Sequence, residues 1–213
     1  MSNEEVRINW VKKTLESLPS GNRILDAGAG EQQYKKYCTH LNYVSQDFAQ
    51  YNPKQLSQGL QMPSWDYGKL DIISDISSIP EKDASFDAIL CTEVFEHIPT
   101  PILAIKEFSR LLKKNGVLII TAPFCSMTHF APHHYYSGFN KYFYEKHLVE
   151  NGFEITSISQ NGNYFDFINQ ELSRAPYMAQ EYSKSKLSFL EKLAFRISNK
   201  ALLRFSEKDT GSK

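Results

Sequence analysis

Residues 24–34, Ile-Leu-Asp-Ala-Gly-Ala-Gly-Glu-Gln-Gln-Tyr, decide the fold. A short strand, Arg23–Asp26, runs straight into a turn with glycine at alternate positions, Gly28 and Gly30. Glycine there permits φ > 0 and lets the backbone approach a ligand with no Cβ in between. Outward from this turn, strands and helices alternate. Upstream, residues 3–18 read as a helix from the spacing of Trp10, Val11, Leu15 and Leu18, and Pro19–Asn22 reads as the turn that closes it. Downstream, the polar residues 31–40 read as a helix and 42–48 as a second strand. Residues 50–66 lack a period and read as a loop with a short helix, followed by a third strand over 70–74. The nearly continuous apolar run FDAILCTEV, residues 86–94, reads as a strand covered on both faces.

The next helix is well punctuated. Thr100 suits the N-cap and Pro101 the first turn, where a missing N–H costs nothing. Ile102, Ile105, Phe108, Leu111 and Leu112 form its apolar stripe, Lys113 and Lys114 suit the negative end of its dipole, and Asn115-Gly116 ends it. A fifth strand follows over 117–124, then a long aromatic loop, a helix around 140–150 and a sixth strand over 153–159. This series predicts an α/β fold: a doubly wound, mostly parallel sheet with helices on both faces and right-handed crossovers. Ligands on such sheets bind beyond the carboxyl ends of the strands.

Two carboxylates stand at those ends. Asp26 lies two residues before Gly28, where a pyrophosphate-binding turn has an uncharged residue, and Gln33 takes the place of that motif's third glycine. A carboxylate there repels phosphate and attracts an ammonium or sulfonium ion. Asp47 ends the second strand, placed to accept hydrogen bonds from ribose hydroxyls. Together they describe a nucleoside site with cationic preference.

On these residues the chain resembles the class I S-adenosylmethionine-dependent methyltransferases over roughly residues 20–160, a Rossmann-like fold. LDAGAG matches the family's first motif, Asp47 its acidic strand end, Asp75-Ile76 its adenine loop, FDAILCTEVFEHI its fourth-strand motif, and LLKKNGVLIITAPF the helix and fifth strand. The resemblance implies S-adenosylmethionine as cofactor and assigns Asp26, Gly28, Gly30, Asp47, Asp75, Ile76 and Glu93 to its site. Residues 137–155 with Asn161-Gly162-Asn163 are similar to methyltransferases of bacterial surface-polysaccharide biosynthesis, which implies a sugar hydroxyl as acceptor. Another small metabolite, or a non-catalytic cofactor-binding partner protein, is the alternative.

The loop over 121–147 holds eight Phe or Tyr residues and four of the six histidines, His129, His133, His134 and His147. Loops so rich in rings serve as pockets or lids. Methylating an alcohol needs a group that takes its proton, and histidine titrates near neutrality. His129, then His133, then His134 are the candidate bases. Glu93 or Glu96 with His97 would be the carboxylate and imidazole set for a divalent ion, but their spacing is not that of a dedicated cage, so no metal is expected.

The family's sheet ends in an antiparallel strand hairpin, whereas the text after residue 160 is helical: YFDFINQELSR, then KLSFLEKLAFRISNKALLRF. The expected organisation is a cofactor-binding domain over 1–160 and a helical extension over 161–213, cut short before a last strand. The acidic start MSNEEVRINW does not read as a signal peptide, no apolar run reaches the roughly 18–20 residues of a membrane span, and three scattered cysteines suggest a reducing, cytoplasmic address. The 24 Lys and Arg against 24 Asp and Glu give zero net charge, which argues against a nucleic-acid partner. That sum conceals a division: residues 184–213 carry 8 basic and 3 acidic side chains, and residues 1–183 carry 16 and 21. Leucines at helical spacing among those basic residues suit either a helix packed on the open sheet edge or one that meets anionic lipid or a membrane-bound complex.

Overall fold

In the computed structural model, residues 3–53 and 60–211 are described. The chain divides into two compact units, Arg7–Ile158, and Ser159–Lys213 together with Met1–Val6. The larger unit is built on a parallel sheet in the order β3-β2-β1-β4-β5. Its strands are β1 (Arg23–Ala27), β2 (Asn42–Asp47), β3 (Ile72–Ile73), β4 (Phe86–Thr92) and β5 (Leu112–Thr121). The order reverses direction between β1 and β4, which opens a crevice at their carboxyl ends.

Alternation along the two central strands feeds two apolar layers. Ile24, Ala88 and Leu90 face the layer shared with Val11 and Leu15 of helix α1 (Asn3–Glu16). Leu25, Ala27, Phe86, Ile89 and Cys91 face the other, against Ala104, Ile105, Phe108 and Leu111 of helix α2 (Pro101–Leu111). Helix α3 (Lys141–Glu150) adds Phe143, Tyr144 and Leu148 to that second layer. Both sheet faces are thus covered, as the continuous apolar text of β4 requires.

Several expected boundaries move. Residues 31–40 are turns around a short 3-10 helix, Lys35–Tyr37, and not an α-helix. The helix expected to reach Lys114 stops at Leu111, and Leu112 already pairs with Phe86. Asn115, at φ 63, and Gly116 form an irregularity inside β5 instead of a helix stop. Asp87 explains the change: it accepts from Lys113 Nζ at 2.8 Å and from the Arg23 N–H at 2.9 Å, which holds the start of β5 to β4 and β1. Residues 153–159 form no strand, so the sheet ends at β5 among the described residues. Their alternating pattern finds no neighbouring backbone to pair with. The short helix expected within 50–66 falls largely on residues 54–59, which lie outside the described residues.

The smaller unit is a helical hairpin, α4 (Tyr164–Ser183) and α5 (Phe189–Glu207). Both helices begin with capping boxes, Asn163 with Asp166 and Ser188 with Glu191, and each box satisfies orphan N–H groups reciprocally. Ser206 Oγ donates to Asp166 Oδ1 at 2.6 Å and Asn199 Nδ2 donates to Ser173 Oγ at 3.2 Å, joining the two helices.

One buried carboxylate fastens the loop that enters β4. Glu107 Oε1 accepts from the Ile79 N–H at 2.7 Å and from Arg110 Nη2 at 2.6 Å, while Arg110 Nη2 also donates to the Ile79 carbonyl at 3.0 Å. The Arg110 guanidinium holds the Glu107 carboxyl below its ordinary value of 4.5. Glu107→Ala should therefore lower unfolding stability at pH 7 by about 2 kcal/mol. The wild-type advantage is present above pH 4.5 and is lost as pH falls through the lowered value of the folded carboxyl. Urea unfolding of both proteins over that range measures it.

Candidate functional site

The glycine turn lies at the mouth of the crevice and is tied to the end of β2. Gly28 and Ala29 both donate their N–H to the Gln46 carbonyl at 2.9 Å, and Gly30 donates to Asp47 Oδ2 at 2.9 Å. Gly28 has φ +76, and a Cβ there would sit 2.5 Å from Val94 Cγ2, beyond the end of β4. Gly30 has φ +51 and carries Trp65 on its open face, where a Cβ would meet Cζ2 at 2.9 Å. Both positions therefore require glycine for conformation and for space.

Asp26 is buried and accepts from Tyr43 Oη at 2.6 Å. Burial pushes its carboxyl up from 3.8 to about 7, against the Tyr43 hydrogen bond, and the nearby charge of Asp47 adds to the rise. Asp47 is raised as well, chiefly by burial, although it accepts from the Ala49 and Gly30 N–H groups. Two carboxylates thus share a poorly solvated crevice, an arrangement that a bound cation would stabilise.

Glu93 follows β4 in the left-handed region, φ 54. Its side chain takes Arg7 Nη1 on Oε2 at 3.0 Å and Thr121 Oγ1 on Oε1 at 2.9 Å. Arg7, on α1, is a site residue with no signal in the sequence beyond a basic side chain on an ordinary helix. The remaining two cofactor assignments are placed differently. Asp75 Oδ1 accepts from the Ser77 N–H and Oγ, both at 2.7 Å, and so caps its own turn. Ile76 is buried in the apolar layer under α2.

The aromatic loop folds back over this crevice. Phe130 stacks on Tyr51 with ring centroids 4.1 Å apart and meets Trp65 edge-on at 5.0 Å. The segment around Tyr51 and Trp65, read from the sequence as a loop with a short helix, therefore supplies half of the aromatic wall. The histidines separate into two groups. His129 and His134 come together, ring centroids 4.8 Å apart, and His97 joins them at 4.7 Å from His129. The His133 ring packs edge-on against Phe48, and its carbonyl accepts from His97 Nδ1 at 2.6 Å. His147 lies apart on α3, beside Glu150. Burial lowers His97 from 6.5 to about 4, and burial with the Glu93 charge raises its neighbour Glu96 from 4.5 to about 8. Among the described residues, Glu96, His97 and His129 bring ligand atoms within 4.8 Å of one another.

Two buried carboxylates around a glycine turn, at the switch point of a parallel sheet, narrow the class of protein. Residues 25–120 match the family model of the methyltransferase domain. The ubiquinone biosynthesis O-methyltransferase of Xanthomonas axonopodis pv. citri is 32% identical over 123 residues, which cover 54% of this chain and 48% of that protein. The chain spans about half the length of the curated relatives it matches. Among solved structures, a putative methyltransferase from Bacillus halodurans aligns with a TM-score of 0.56 and 17% identity, covering 84% of this chain and 85% of its own. The phosphoethanolamine N-methyltransferase 2 of Haemonchus contortus, solved with S-adenosyl-L-methionine, aligns with a TM-score of 0.55 and 16% identity over 92% of this chain and 48% of its own. At those identities the structures show that the fold is shared. Residues 25–120 are thus similar in sequence to methyltransferase domains, and the larger unit shares its fold with solved methyltransferases.

The buried Asp26 carboxylate should show in the pH dependence of stability. The folded Asp26 keeps its proton up to about pH 7, whereas the unfolded chain releases it near 3.8, so the folded state holds more protons between those values. Stability of the ligand-free wild type should fall over that window relative to Asp26→Asn, by roughly 4 kcal/mol. Parallel denaturation curves from pH 4 to about pH 8 give the difference, and a constant gap would show that Asp26 ionises normally in the fold.

Proposed function

We propose that the protein is an S-adenosylmethionine-dependent methyltransferase acting on a hydroxyl of a small molecule. The observation that carries this reading is the pair of buried carboxylates, Asp26 and Asp47, around the Gly28–Gly30 turn. Asp47 is placed for the ribose hydroxyls, Gly28 and Gly30 for close backbone approach, and Asp26 supplies the negative field for the sulfonium. Arg7 and Glu93 stand ready for the carboxylate and ammonium of the methionine part, exchanging their mutual ion pair for those of the ligand. Asp75 and Ile76 shape the adenine side through the turn that one caps and the core contact that the other makes.

In this reading the acceptor hydroxyl lies among the loop histidines. Ser126 Oγ donates to the Ser137 carbonyl at 3.1 Å, so it accepts from His134 Nε2 at 3.3 Å and leaves Nδ1 of His134 as the lone pair. The acceptor oxygen attacks the methyl carbon as the carbon–sulfur bond breaks, its proton passes to His134, and S-adenosylhomocysteine leaves. The sulfonium is already an activated leaving group, so holding oxygen and methyl in line is the main task. His129 and His133 act on the acceptor through position: one joins the His97–His134 group, and the other fixes His97 through its carbonyl. A sugar acceptor has no support among the relatives named above, of which the Xanthomonas protein is named an O-methyltransferase of ubiquinone biosynthesis, and the Tyr51–Phe130 wall suits an acceptor that carries a ring.

Saturating S-adenosylmethionine or S-adenosylhomocysteine should raise the wild-type melting temperature by several degrees. Gly28→Ala, with its Cβ driven into Val94, should abolish that shift. No shift in the wild type with either ligand would sink the proposal. Mass spectrometry after incubation with hydroxylated aromatic and sugar acceptors, reading a one-methylene gain, then separates the acceptor classes.

The finer reading of location concerns α5. No helix among the described residues is long and apolar enough to cross a membrane. Phe189 is 79% exposed, Leu190 74% and Ile197 60%, with Lys200 and Arg204 beyond them on the same helix. Apolar side chains flanked by cations suit the surface of an anionic bilayer. The full chain should float with liposomes rich in phosphatidylserine and stay behind with neutral ones. Leu190→Glu/Ile197→Glu should stay behind with both, and equal flotation of the two proteins would remove the membrane surface as a partner.

A further inference from the structure

The hydrogen bonds around His97 and His129 do more than orient two rings. His97 Nδ1 lies 2.6 Å from the His133 carbonyl and His129 Nδ1 lies 2.8 Å from the Met127 carbonyl. A carbonyl only accepts, so both Nδ1 atoms carry the proton and both Nε2 atoms are left with lone pairs. Histidines that bind metals are held in this way, the far nitrogen fixed by a backbone carbonyl so that the near one presents a lone pair in a set direction.

Between these rings stands a carboxylate with an unanswered atom. Glu96 is 1% exposed, and its Oε2 has no hydrogen-bond partner. Its other oxygen, Oε1, lies 3.7 Å from His97 Nε2. A buried carboxylate oxygen without a donor is costly, and such an atom in a folded protein calls for an unseen partner. The backbone of the same residue is fixed, since its carbonyl accepts from the Tyr135 N–H at 2.8 Å and the Tyr136 N–H at 3.3 Å. The two segments that supply the three groups, 96–97 and the 121–140 loop, are thereby tied together.

We propose that Glu96, His97 and His129 form a mononuclear site for a divalent cation of the zinc or cobalt class. Their ligand atoms lie within 4.8 Å of one another, and closing on a metal at about 2.0–2.1 Å requires a contraction of roughly 1 Å, within the reach of side-chain rotation. Two imidazoles and one carboxylate select a borderline cation over magnesium, which takes oxygen ligands and keeps its water. Three protein ligands leave a fourth position open, the arrangement of reactive and not of purely structural sites. Glu93 is not part of the set, because both its oxygens are engaged by Arg7 and Thr121.

The role of the ion toward an acceptor rests on the methyltransferase reading; its binding does not. In the open position a hydroxyl oxygen of the acceptor would bind the cation and lose its proton more readily, the proton passing to His134. The acceptor class follows: a molecule with a metal-binding hydroxyl, whose oxygen on the ion is the one methylated.

The test uses the full chain, stripped with EDTA and titrated with cobalt(II), whose visible absorption reports its ligands without any turnover. One equivalent should produce the intense bands of a four-coordinate site, and excess magnesium should not displace it. His97→Gln and His129→Ala should each weaken binding roughly a hundredfold or more, whereas His133→Ala, which keeps the backbone carbonyl, should leave it unchanged. Circular dichroism confirms that each variant is folded. Wild-type absorption no stronger than that of the aqueous ion, displacement by magnesium, or unchanged affinity in His97→Gln and His129→Ala would each overturn the assignment. A separate thermal shift with S-adenosylmethionine keeps failure of the metal site distinct from failure of the methyltransferase reading.

Discussion

The hydrogen bond from Tyr43 to Asp26 sets the terms for the rest of the larger unit. A carboxylate at the end of a central parallel strand is walled in on both faces by the layers that α1 and α2 cover. Only a group from the neighbouring strand can reach it, and Tyr43 of β2 does so at 2.6 Å. Because β1 and β2 pair in register over Arg23–Ala27 and Asn42–Gln46, that contact also fixes where β2 ends. The end of β2 in turn places Asp47 under the Gly30 N–H. The geometry of the glycine turn is therefore a consequence of how one buried charge is accommodated, and the charge is the part a cationic ligand would recognise.

The same constraint explains which features of the fold were legible in the sequence. Strands β1 and β4 sit where both faces are covered, and their composition declares it: Ile24, Leu25, Ala88, Ile89 and Leu90 are all buried. Helices α4 and α5 were legible as helical text, α5 through the spacing of its apolar residues, whereas their capping boxes came with the structure. What the sequence concealed was whatever depends on a partner. Residues 153–159 alternate like a strand, but a strand exists only where another backbone pairs with it. Leu112 to Gly116 carry helix-end residues, yet pairing with β4 and the Asp87–Lys113 bond place them in a strand. Local propensity lost to tertiary contact in both places.

For the site, the limit was of a different kind. Asp26, Gly28, Gly30 and Asp47 form one local motif and are legible together. Arg7, Trp65 and His97 are separated by long stretches of chain and carry no shared pattern; only folding brings Arg7 to Glu93 or Trp65 to Gly30. The histidines show both cases at once. Four in one aromatic loop marked the region, but their division into a converging pair and a structural carbonyl donor depends on His97, which arrives from the end of β4.

Charge does not follow the division of structure: the basic excess lies in residues 184–213, and its boundary falls between α4 and α5. In the larger unit the buried Asp26 and Asp47 themselves, and not the overall charge around them, favour a cationic ligand over an anionic one. The hairpin holds no buried residue in α4 or α5, and large apolar groups such as Phe189 and Leu190 face solvent. Each such side chain forgoes about 1.5–3 kcal/mol available from full burial. A small basic hairpin that leaves several of them uncovered keeps that free energy in reserve for a second surface. Its basic side chains then determine the sign of the surface it can use.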